Sequence, residues 1–117
     1  MDSRTSVIPY LEAGLRAIQL QGRAIANNIA NLNTPGYRRV AAEFRRQLAK
    51  AIASGNPRSF EAKLVRPMST EVRSNGNDVD LDMEVGALIK NGALYKTYMR
   101  ILARTYRQLE LAMRREL

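Results

Sequence analysis

The stretch IANNIANLNTPGYRR, Ile25–Arg39, decides how the chain is read. It begins as an amphipathic helix yet carries asparagine at 27, 28 and 31. Asparagine is a poor helix former because its side chain competes for backbone hydrogen bonds, so another interaction has to offset these three. The helix then stops at Asn33-Thr34-Pro35-Gly36-Tyr37, where Pro35 suits the second position of a type II turn and Gly36 the third. Upstream, Ile8, Leu11, Leu15, Ile18, Gly22, Ile25, Ile29 and Leu32 alternate in spacing between three and four. That is a heptad seam, narrower than the apolar face of an ordinary globular helix. Ser6 is the expected cap and Pro9 falls in the first turn, where a missing N–H is tolerated.

Downstream, Tyr37 to Ala53 reads as a second, short helix with Tyr37, Val40, Phe44, Leu48 and Ile52 on one side, ended by Ser54-Gly55-Asn56-Pro57. A loop follows, with a β-like alternation at Ala62-Lys63-Leu64-Val65 and a turn-prone Ser74-Asn75-Gly76-Asn77. The last helix starts at Asp80 and carries a second seam: Leu81, Val85, Leu88, Gly92, Tyr95, Met99, Leu102, Tyr106, Leu109 and Met113. At 1.5 Å per residue it runs roughly 50 Å. The expected fold is therefore mostly α. Long terminal helices pair as an antiparallel coiled coil, with a short helix and a loop or short-β segment at the far end and Gly22 and Gly92 allowing close approach. The segments 1–36, 37–79 and 80–117 together make one domain. Each long helix would bury a single face, which predicts a marginal monomer, partly disordered at both ends.

The 117 residues include no Cys, His or Trp, which excludes disulfides, Cys/His metal sites, thiol chemistry and a Ser-His-Asp arrangement. No catalytic residue and no cofactor is expected. The acidic run Asp78-Val79-Asp80-Leu81-Asp82-Met83-Glu84 lacks the glycine and the twelfth-position glutamate of a calcium loop, since Met83 and Ile89 stand there. Asp80 as helix cap, with Asp82 and Glu84 against the helix dipole, accounts for it better. No apolar run spans a bilayer, and the N-terminus lacks the layout of a cleavable secretory signal.

The net charge of +8 suggests an acidic partner, and a basic coiled coil that binds nucleic acid is one reading. Its distribution is uneven: +6 over residues 36–66 and −3 over 67–92. Arg45 and Arg46 on one side, and Asp80 and Asp82 on the other, are candidate intersubunit contacts. So are Leu94, Tyr98 and Ile101, which lie off the last helix's seam. Asn27, Asn28 and Asn31 likewise lie off the first seam, and neighbouring copies would cover them through amide hydrogen bonds.

Residues 26–39, ANNIANLNTPGYRR, resemble the N-terminal motif of the bacterial flagellar axial family of rod, hook and junction subunits. Asn75 to Leu102 resembles the proximal-rod branch of that family, with FlgC-like subunits the competing branch. The resemblance implies a structural, non-enzymatic subunit of the basal-body rod, transmitting torque and enclosing the export channel. Its assembly motif would be Asn27, Asn28, Asn31, Asn33, Thr34, Pro35, Gly36 and Tyr37. Its seam would be Leu11, Leu15, Ile18, Ile25 and Ile29 against Val85, Leu88, Tyr95, Met99, Leu102, Tyr106 and Leu109. Implied partners are further copies of the chain, the rod proteins FlgC, FlgF and FlgG, the adaptor FliE, and the type III export gate and MS ring region. Nucleic acid is not among them, nor is membrane insertion. The implied location is the periplasmic rod, reached through the flagellar export apparatus without a cleaved signal.

Overall fold

The computed structural model describes residues 3–56 and 61–116. Two long helices, α1 (Ser3–Ala30) and α3 (Leu81–Glu116), pack antiparallel. Between them come β1 (Ala41–Glu43), α2 (Arg45–Ser54) and β2 (Lys63–Val65). The molecule is thin and long, 67 by 27 by 14 Å.

α1 begins at Ser3, so Ser6 and Pro9 lie inside the helix and neither marks its start. Pro9 forfeits one internal hydrogen bond there. The helix buries two faces rather than the single one expected. Leu11, Ile18 and Ile25 are buried on the side that carries Gly14 and Gly22. A second face of small residues, Ala13 and Ala17, forms a core with Ala51 of α2, flanked by Tyr10, Phe44, Leu48 and Ala62. Alanines at these places let α2 approach closely, and the extra face gives the pair a third layer.

The second helix is shorter than its apolar spacing suggests. Residues 37–44 are not helical, and Ala41–Glu43 pairs with Lys63–Val65 as a two-stranded antiparallel ribbon in which Ala42 faces Leu64. The backbone is captured before it can coil: Val40 N–H and C=O are both held by Asn28, and Arg39 N–H by Asp78. α2 then starts after Phe44, with no side-chain cap and with Arg45 and Arg46 against the positive end of its dipole. Its other end is well formed. Gly55 is left-handed at φ 68°, and its N–H reaches Ala51 and Ile52 carbonyls. Pro57 lies outside the described residues.

The largest departure from expectation is on α3. Val85, Leu88, Tyr95, Met99 and Tyr106 are all more than a third exposed, and only Leu102 and Leu109 of the expected seam are half-buried. The line turned toward α1 is Glu84, Asn91, Tyr98, Leu102, Thr105 and Leu109. α1 presents glycine at 14 and 22, flat spots into which a ring and an amide fit but which aliphatic residues would fill poorly. The helix therefore rotates until these side chains face α1. Gly92 meets nothing within 4 Å of a built Cβ, so close approach rests on Gly14 and Gly22 of α1.

Candidate assembly junction

Where α1 ends and α3 begins, the interior is polar. Asn28, Asn77, Asp78 and Glu84 are all buried to 1 % exposure or less. A small protein can keep such groups inside only if they bond to one another. Asn28 is the hub. Its Nδ2 donates to the Val40 carbonyl at 2.8 Å and to Glu84 Oε1 at 3.1 Å. Its Oδ1 accepts from Val40 N–H at 2.8 Å and from the Tyr37 hydroxyl at 2.9 Å. All its hydrogen-bonding capacity is used within one chain.

The helix end supplies the geometry. Tyr37 N–H returns to the Thr34 carbonyl at 3.3 Å, and Gly36 has φ 76°, as the third position of a type II turn requires. Asn31 Nδ2 donates to the Asn27 carbonyl, and its Oδ1 accepts from the Thr34 hydroxyl, so two of the asparagines shape the turn. Asn33, Thr34 and Pro35 are exposed.

The second half of the junction comes from Arg73 to Glu84. Asn77 Nδ2 donates to the Asn31 and Thr34 carbonyls at 2.8 and 2.9 Å, tying the turn to the chain entering α3. Gly36 N–H donates to the Asn75 carbonyl at 2.9 Å, and Arg73 donates to the Leu32 carbonyl. Gly76 sits against Gly36: at φ 84°, an added Cβ would lie 3.2 Å from Gly36 Cα. Gly76→Ala is expected to cost about 1–2 kcal/mol from the left-handed backbone alone, and more than Gly36→Ala, which meets open space. Urea unfolding of the two variants gives the comparison, and equal losses would mean that this contact is slack.

Two arginines neutralise the acids. Arg39 Nε lies 2.7 Å from Glu84 Oε1, and its backbone N–H donates to Asp78 Oδ1 at 2.6 Å. Arg38 stands 3.7 Å from Asp78 Oδ2. The basic and acidic segments thus meet inside the chain, through Arg38 and Arg39 with Asp78 and Glu84. Arg46 instead pairs with Glu43 on the surface at 3.3 Å. Asp80 accepts from Met83 N–H at 3.2 Å at the start of α3.

Burial pushes the Tyr37 phenol above its usual value, while Arg66, 5.9 Å from the ring centroid, pulls it back. The folded chain therefore favours the neutral phenol. That contribution to stability is complete below the unfolded value near pH 10 and is lost as pH rises through the folded one. Tyr37→Phe is expected to flatten the alkaline limb of a stability profile, and a limb unchanged by the substitution would assign it to another group. At the far end of the pair, the Tyr106 hydroxyl donates to Glu12 Oε1 at 3.0 Å, which raises its pKa.

Among the described residues no cluster of three acidic, His or Cys side chains could hold a metal, and no helix is long and apolar enough to cross a membrane.

The family described as flagella basal body rod protein matches residues 11–38, the run containing Gly14, Gly22, Asn28 and the Thr-Pro-Gly turn. The flagellar basal body rod protein FlgB of Borreliella burgdorferi is 24 % identical over 121 positions, covering 86 % of this chain and 90 % of that protein. The FlgB of Bacillus subtilis is 28 % identical over 104 positions, covering 79 % and 81 %. The chain belongs to the flagellar basal-body rod family. The flagellar basal-body rod protein FlgG of Caulobacter vibrioides is 34 % identical over 84 positions, but these span 72 % of this chain and only 27 % of that protein. The rod family is structural, and this member carries no catalytic role.

For the rod-family chain the junction revises which residues serve one another. Asn28 spends all its hydrogen bonds within the chain, and Asn31 bonds Asn27 and Thr34. Asn27 is exposed and accepts from Asn31. Glu84, Asp78, Asn77 and Asn91 are buried polar residues that join the two halves of the chain. Sequence places Glu84 in the first turn of α3, against the helix dipole; only the fold shows that it faces Arg39. For Asn91 the available signal was its seven-residue spacing from Glu84 and Tyr98, a second line beside the apolar seam.

Proposed function

We propose that this chain is a FlgB-like structural subunit of the proximal rod, assembling with copies of itself and with its rod neighbours into the torque-transmitting shaft around the export channel. The observation that carries this reading is end-to-end correspondence: the chain covers 90 % of the Borreliella burgdorferi FlgB but 27 % of the FlgG it matches. The physical complement is the apolar flank Leu81, Val85, Leu88, Tyr95, Met99 and Tyr106, exposed on a helix that α1 covers on one side only. A stripe of this length on a subunit is suited to burial by neighbouring helices. FlgC, FlgF, FlgG, the adaptor FliE, and the export gate and MS ring region are the proposed partners. The periplasmic rod is the proposed location, reached by type III export. Arg45, Arg46, Asp80, Asp82, Leu94 and Ile101 are exposed and stay candidate contacts, while Tyr98 is turned toward α1.

Mass spectrometry of salt-washed basal bodies from the source organism tests the assignment. Recovery in amounts comparable to other rod proteins supports it, and absence while those proteins are present would overturn it. A Leu88→Asp/Met99→Asp variant is expected to keep the helicity of the free chain and to lose incorporation. Normal incorporation would place the contact on another face.

A further inference from the structure

We infer that Asn91, seated against the Gly22 turn of α1, is a register lock that fixes how far α3 slides along α1. Three side chains of α3 spaced seven apart each meet a matched position on α1. Glu84 bonds Asn28 at one end. Asn91 Nδ2 donates to the Ile18 carbonyl at 3.1 Å, in a place where a Cβ on Gly22 would lie 3.1 Å from that nitrogen. Tyr98 lays its ring over Gly14, where a Cβ would lie 2.3 Å from Cε2.

The apolar part of this interface discriminates only weakly between registers. Leu11, Ile18 and Ile25 are buried at intervals of seven, so a slide of one heptad in one direction replaces them by Ile18, Ile25 and Leu32, and in the other only Leu11 is replaced by an unlike residue, Arg4. The polar rungs are not interchangeable. A helix carbonyl is flanked by the side chain four residues on, and Gly22 leaves that of Ile18 open. Shifted by seven in either direction, Asn91 would face the turns ending in Leu15 or Ile29, whose side chains cover the corresponding carbonyls. Tyr98 would meet Val7 or Gln21 in place of Gly14. A buried amide with no acceptor is unfavourable, so the wrong registers are disfavoured by the residue that fits the right one. Asn91 Oδ1 has no donor among the described residues even in the native register. A buried amide that specifies register on a helix interface does so at a cost in stability.

The chain has no cysteine, so spin labels attached to cysteines replacing the exposed Arg23 and Arg104 report the axial offset of α1 and α3 in the full chain. The starting protein is expected to give one distance. Asn28→Ala weakens the junction, and with Asn91 intact the single distance should persist. Adding Asn91→Leu to that variant should bring in a second population displaced along the axis by about 10 Å, one heptad of rise. A second distance already present in Asn28→Ala would give the junction sole control of register. A single distance in the double variant would give that control to the packing that remains, Tyr98 on Gly14 included. Either result overturns the inference. Should the double variant fail to fold, Asn91→Leu alone decides: a register lock predicts a thermal midpoint equal to or above the starting protein's, and a lower midpoint makes Asn91 an ordinary stabilising contact.

Discussion

Glu84→Ala is expected to cost roughly 3–5 kcal/mol of folding free energy, the usual effect of removing one partner from a buried ion pair. Glu84 is fully buried and the Arg39 side chain is 12 % exposed, so the guanidinium left behind has little water to turn to. The substitution also removes an acceptor from Asn28 Nδ2. Small domains have about 5–15 kcal/mol in total, so such a loss leaves much of the population unfolded. Glu84→Gln keeps the shape and an acceptor and should fall between the two. Urea unfolding followed by circular dichroism measures this. A Glu84→Ala value within 1 kcal/mol of the starting protein would mean that Arg39 finds water readily and that the junction is looser than its distances indicate.

A second large effect is expected from Asn28→Asp, a change of one atom. The carboxylate cannot donate to the Val40 carbonyl or to Glu84, and it places a second acid where an amide stands 3.1 Å from Glu84 Oε1. Two acids this close inside a protein cannot both ionise, and shifts of about three pKa units correspond to roughly 4 kcal/mol at neutral pH. The sign of the pH dependence follows. The new carboxyl has its folded pKa raised, so the penalty is full well above that value and shrinks as acidification protonates it in both states. Relative to the starting protein, the variant should recover as pH falls from 7 toward 4. A pH-independent deficit would point to lost hydrogen bonds alone as the cause.

Both predictions concern residues that the sequence hinted at without assigning. The three asparagines in a helix were visibly expensive, and the reason proves to be internal: Asn28 organises the chain that follows, and Asn31 shapes the turn. The type II geometry of Thr34 to Tyr37 was legible because Pro and Gly restrict the backbone locally. Strand β2 was legible from its short alternation. The extended course of residues 37–43 was not, because spacing that suits a helix is overridden when distant groups bond the backbone first.

Local rules on the amino-acid sequence were enough to determine two long heptad helices, their punctuation at Thr34-Pro35-Gly36 and Gly55, and the absence of Cys/His chemistry. Each depends on a residue's own preferences or on a spacing of three and four. Only the tertiary structure decided which face of α3 turns inward, that Arg38 and Arg39 are the partners of Asp78 and Glu84, and that α1 buries a second face against α2. An apolar stripe says that a helix has a neighbour but not where the neighbour has room for it. Gly14 and Gly22 supply that room, and the fit of Tyr98 and Asn91 into it rotates α3 away from its most apolar line.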